Sequence, residues 1–117
     1  MKTAYKTMII LLLLFSIGHM MYTFLENPGS LEQQTWFFSA SLGMLGSVFL
    51  NVLNLSSMEK SVKVMAMLMN LMMFLFCLFL CFVVTEIQVL VLTIVYLITL
   101  FFSVRLFLLT REITLTK

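Results

Sequence analysis

The sequence is poor in what a water-soluble domain puts on its surface. Charged residues make up 10% of its 117 positions, aspartate is absent, and all five acidic residues are glutamates. A soluble domain carries about 25% charged residues. No polar stretch is long enough to build a water-facing domain, which excludes an enzyme of that kind. A single proline and four glycines leave few turn signals. Seven Lys or Arg against five Glu give a net charge of +2. That is too small and too scattered for a nucleic-acid surface. The two cysteines, Cys77 and Cys81, stand four residues apart inside an apolar run. On one helix face a disulfide between them is geometrically awkward, so they are expected as small core residues. There is one histidine, and no Ser–His–acid set, Walker loop, zinc motif or glycine-rich nucleotide loop. Neither catalysis nor a bound cofactor or metal is expected.

What the chain has in abundance is apolar length. Hydrophobic residues reach 62%. Each bilayer-crossing helix needs about 20 largely apolar residues, and four such segments fit, at about 7–25, 36–55, 62–84 and 88–109. The expected fold is all-α: a polytopic integral membrane protein, one domain over residues 1–117, built as a compact antiparallel bundle of four transmembrane helices. Lys2 and Lys6, followed by an apolar run and Ser16-Ile17-Gly18, imitate a secretory signal. The run continues through Leu25, long enough to span uncleaved; cleavage would leave three spans.

Glu26-Asn27-Pro28-Gly29 is a strong turn signal, and Ser56-Ser57-Met58-Glu59 a shorter break. The third break is the weakest, because Val62 to Leu109 holds neither Gly nor Pro. One unbroken helix there would reach about 70 Å, more than twice the hydrocarbon core. The polar cluster Thr85-Glu86-Ile87-Gln88 is the place for a hairpin, with burial of Glu86 as the alternative. Lys2, Lys6, Lys60, Lys63, Arg105, Arg111 and Lys117 then fall at one end, and the other two connections hold Glu but no Lys or Arg. By the positive-inside rule both termini are cytoplasmic, in the inner (cytoplasmic) membrane. Arg105 and Lys63 are expected to snorkel to the interface, and Trp36 to anchor the outer end of the second span.

Helices in lipid associate through close packing and interhelical hydrogen bonds, so polar residues mark inward faces. The first span offers Ser16, His19, Thr23 and Glu26. The second offers the ladder Ser39, Gly43, Ser47 and Asn51, with Gly46 and Asn54 alongside. The third offers Lys63, Ala66, Asn70, Cys77 and Cys81, and the fourth Tyr96, Thr99 and Ser103. The Ser39, Gly43, Gly46 and Ser47 surface is the expected helix-packing interface. Asn70 facing Asn51 or Asn54 makes an interhelical amide bridge. The polar groups are expected to spread in depth and not to converge on one site.

His19, Glu26, Asn51 and Asn70 are the candidate polar or ligand site. His19 is the lone histidine, with Glu26 seven residues on along the same face, suited to relaying protons. A haem held by two histidines would take its second from another chain, or a soft ligand from Met20 or Met21. The methionines at 65, 67, 69, 72 and 73 resemble soft Cu(I) ligands, but their spacing spreads them over several helix faces, as flexible filler does. In length and span count the chain resembles the small multidrug resistance transporters. It departs from them where they carry a membrane-embedded Glu in the middle of the first helix. Leu12, Leu13 and Leu14 stand there, and Glu26 lies about three turns further on.

Three functions follow as expectations. The first is a non-enzymatic accessory or self-associating subunit, its partners the lipid bilayer and a homo-oligomer or larger membrane complex. The second is a homodimeric transporter or channel with a polar path near His19 and Glu26. The third is a haem-binding membrane redox protein.

Overall fold

The computed structural model describes residues 1–25 and 29–115, with side chains described to Glu112. Four helices account for nearly all of it: α1 (Lys2–Leu25), α2 (Leu31–Ser56), α3 (Lys60–Val83) and α4 (Ile87–Leu115). All four are long and apolar enough to cross a membrane. Each helix packs against the one before and the one after it, and α4 closes the ring onto α1; the α1–α2 and α3–α4 hairpins pack most extensively. The result is an elongated four-helix bundle, 58 × 23 × 22 Å.

Local chemistry sets the breaks. Ser30 and Gln33 form a reciprocal capping box at the start of α2: the Gln33 N–H donates to Ser30 Oγ, and the Ser30 N–H to Gln33 Oε1. The two reciprocal bonds satisfy donors that a helix start leaves free. At the end of α2 the Ser57 N–H donates to the Leu53 carbonyl, and Ser57 Oγ accepts from the Glu59 N–H. The last break comes without glycine and without any positive φ. Val84 adopts φ −124°, ψ 105° and donates to the Leu80 carbonyl, ending α3. The β-branched run Val83-Val84-Thr85 favours such an extended backbone. The Glu86 carbonyl then accepts from Val89 and Leu90 and opens α4. The Glu86 side chain is exposed, so its burial is set aside in favour of the hairpin.

The interior inverts the order of a soluble protein. Among the described residues, eleven buried side chains are apolar and eleven are polar or charged. The outside is lined with large apolar groups such as Phe24, Phe79, Phe82 and Phe101. Such a surface is consistent with a membrane context, where hydrocarbon replaces water as the solvent. The helices also run further than the apolar segments alone. α1 begins at Lys2, α2 at Leu31, and α4 continues to Leu115. Backbone hydrogen bonding does not stop where apolarity does.

Candidate functional site

One group of buried polar residues gathers at the end of the bundle that carries the chain termini. From α1, Tyr5 enters on the face it shares with Ile9, Leu12 and Ser16, at steps of four, three and four residues. α2 contributes Ser47, Asn51 and Asn54, α3 contributes Lys63 and Asn70, and α4 contributes Ser103; all are buried.

Asn51 and Asn70 form the hub. Asn51 Nδ2 donates to Asn70 Oδ1 at 2.8 Å, and Asn70 Nδ2 donates back to Asn51 Oδ1 at 2.7 Å. This is the amide bridge that the spacing anticipates. Asn51 Nδ2 also donates to the Ser47 carbonyl at 2.7 Å, and Asn51 Oδ1 accepts from the Tyr5 hydroxyl. All four hydrogen-bonding positions of Asn51 are thus filled. Asn70 Nδ2 donates to Ser103 Oγ at 2.6 Å, and Asn54 Nδ2 donates to the Tyr5 oxygen at 2.9 Å. Tyr5 and Ser103 lie 3.1 Å apart, and the Tyr5 proton is committed to Asn51, so Ser103 is the donor to Tyr5. One connected network therefore ties together all four helices. These groups converge where a spread in depth was expected, whereas the buried Ser16, Thr23, Ser41 and Thr93 are spread along the bundle.

Lys63 corrects a second expectation. It does not snorkel: the residue is 2% exposed, and Nζ donates to the Asn54 carbonyl. Asn54 lies in the last turn of α2, where carbonyls lack intrahelical partners and the helix dipole is negative. α2 has no basic residue of its own in that turn, and Lys63 supplies the cation from α3. Among the described residues it is the one charged member of the buried set. Among the described residues, two buried polar atoms remain unfilled. Asn54 Oδ1 has no hydrogen-bond partner, and the Tyr96 hydroxyl lies near Ser47 outside hydrogen-bond geometry.

The other candidates lie elsewhere. His19 is half-buried, and its ring stacks on Phe37 of α2 with centroids 4.1 Å apart and planes 9° off parallel. It stands fourteen residues beyond Tyr5 on α1, about 21 Å along the axis at 1.5 Å per residue. The structure therefore does not bring His19 to Asn51 and Asn70. Glu26 lies outside the described residues. Thr23 Oγ1 donates to the His19 carbonyl at 2.9 Å, and Ser16 Oγ crosses to the Ser41 carbonyl of α2 at 2.9 Å.

Of the four residues expected to pack α2, Ser47 is buried, whereas Ser39, Gly43 and Gly46 are exposed. A Cβ placed on either glycine meets nothing within 4 Å. The reason is angular. A strict four-residue repeat advances about 40° per step on a helix of 3.6 residues per turn, so Ser39 and Asn51 end about 120° apart. The inward row is instead Ser41, Met44, Ser47, Val48, Asn51 and Asn54.

Cys77 is buried and free, and Cys81, also free, contacts Thr93 Oγ1 at 3.2 Å. Among the described residues no group of three His, Cys, Asp or Glu side chains is placed to hold a metal ion. The residue that sequence reasoning missed is Tyr5. Its signal was present: it begins the row Tyr5, Ile9, Leu12, Ser16, and it carries a hydroxyl that a buried position must satisfy.

Fold and network together define a small all-α bundle consistent with a membrane-associated protein. No protein-family model, curated protein or solved structure matches the chain.

Proposed function

We propose that the chain is a multi-pass integral membrane protein of non-enzymatic type, acting as an accessory or self-associating subunit of a membrane complex. It sits in the inner (cytoplasmic) membrane with both termini on the cytoplasmic side. The observation that carries this is the closure of the network. Asn51, Asn70, Tyr5 and Ser103 spend their hydrogen bonds on one another, while the outer surface is apolar. A hub whose polar atoms are paired in this way supports packing between helices. The orientation is supported by the gathering of Lys2, Lys6, Lys60, Lys63, Arg105 and Arg111 at the terminal end, against Glu32 and Glu86 at the other.

Self-association is favoured by one further observation. Gly43 and Gly46 lie mid-helix with no positive φ and with open space where a Cβ would be. Glycine there costs about 1 kcal/mol relative to alanine, and among the described residues no neighbour packs where the Cβ would be. A second helix approaching this face from outside would pack there.

The test is cross-linking in native membranes followed by purification and mass determination. A defined assembly larger than one 13.5 kDa chain is expected. A lone monomer that carries out proton-coupled uptake in proteoliposomes, abolished in His19→Ala, would overturn the proposal in favour of transport.

A further inference from the structure

A shallow groove of about 370 Å³ opens on the outer side of α3 at its first turns, lined by Lys60, Ser61, Val64 and Met65. Its two halves differ in chemistry. Lys60 and Ser61 are exposed and polar, at the end of the bundle where Lys2, Lys6, Arg105 and Arg111 are also exposed. Val64 and Met65 are apolar, and the exposed row continues along the same helix through Leu68 and Met72.

We propose that this groove binds an anionic phospholipid, with the phosphate headgroup on Lys60 and Ser61 and an acyl chain along Val64, Met65, Leu68 and Met72. The inference rests on the bilayer placement argued above.

Two independent fits support it. The first is charge. The groove opens at the basic end, and Glu59, though adjacent in sequence, is not one of its walls. Basic side chains at the cytoplasmic face attract anionic headgroups, by a free energy that falls away within a Debye length. The second is length. The exposed apolar row runs on past Met72 through Leu75, Phe79 and Phe82, so it covers more than the about 15 Å of one leaflet of the hydrocarbon core. A lipid held at Lys60 thus meets exposed apolar side chains over the full depth of its leaflet.

The chemistry of the track also accounts for part of the methionine run. Met65 and Met72 are 57% and 68% exposed, so they do not serve the bundle core. Their unbranched thioether chains conform to an irregular, mobile surface such as a lipid tail. Lys60 and Lys63 divide the labour between the two sides of one helix. Lys63 turns inward to the end of α2, and Lys60 is left at the outer surface.

The experiment uses the full chain in vesicles of phosphatidylcholine and in vesicles of mixed phosphatidylcholine and phosphatidylglycerol. Spin-labelled lipids of each headgroup report the motionally restricted fraction. The wild type is expected to select phosphatidylglycerol. Lys60→Gln should cut that selectivity about fivefold, and Lys60→Arg should retain it. Val64→Trp, which fills the groove without changing charge, should lower the restricted fraction. Lys6→Gln should leave the selectivity close to wild type. Equal losses in Lys6→Gln and Lys60→Gln would replace the groove with diffuse surface charge and overturn the proposal. Insertion into phosphatidylcholine vesicles with no headgroup preference would overturn it alone and leave the membrane placement intact. Failure to co-float with either vesicle would sink both.

Discussion

At the end that carries the chain termini, Tyr5, Asn51, Asn54, Asn70 and Ser103 bond side chain to side chain across all four helices. At the opposite end the links are of another kind. Ser16 bonds the Ser41 carbonyl, His19 and Tyr22 pack on Phe37, Phe24 meets Phe38, and Cys81 meets Thr93. Each of these joins the two helices of a single hairpin, α1 with α2 or α3 with α4. The terminal-end network alone among these features joins one hairpin to the other by polar side chains. In a low-dielectric surround such a network is costly to open, because every broken bond leaves a buried donor or acceptor unpaired. The terminal end is therefore the fixed end of the bundle, and the distal end is held by packing of rings and small groups.

Substitutions can break this contrast in order of severity. Lys63→Glu places a carboxylate against the Asn54 carbonyl and the negative end of the α2 dipole. A loss of about 4 kcal/mol is expected in unfolding by denaturing detergent. Asn51→Leu removes the hub, strands Asn70 Oδ1, and takes the acceptor from one Asn70 N–H and from the Tyr5 proton. The same titration should give about 3 kcal/mol. Tyr5→Phe deletes one hydroxyl and leaves Asn51 paired with Asn70. About 1.5 kcal/mol should be lost, and amide exchange should rise at the terminal end of α1 before the distal end. Ser16→Ala at the distal end removes one bond between two helices. About 0.6 kcal/mol is expected, the average for a polar contact between membrane helices. A distal substitution costing as much as Asn51→Leu would erase the distinction.

The comparison also explains what the sequence could and could not reveal. Four helices of membrane-crossing length and three breaks were legible because apolar length and polar punctuation are local properties. The length limit of a bilayer put the third break at Thr85–Gln88; it lies slightly earlier, at Val84–Glu86, where the β-branched run ends α3. The faces of α3 and α4 were legible too. Lys63, Ala66, Asn70 and Cys77 are buried along one, and Tyr96, Thr99 and Ser103 along the other. On α2 a repeat of four was tracked for too long, and its drift carried Ser39 and Gly43 off the inward face. The direction of Lys63 was not legible at all. Whether a lysine near a helix end turns out or in depends on whether a neighbouring helix presents unpaired carbonyls, and that requires the fold. The convergence of Tyr5 with Asn51 and Ser103, 46 and 98 residues away in the chain, was hidden for the same reason.

The central claim is that the four helices are locked by a shared polar hub, and a double-mutant cycle on Asn51 and Asn70 addresses it most directly. Unfolding free energies would be compared for Asn51→Leu, Asn70→Leu and the pair. The account predicts that the double variant loses little more than either single one, with a coupling of at least about 1 kcal/mol. Losses that simply add would mean that the two amides act independently, and the hub would be contradicted.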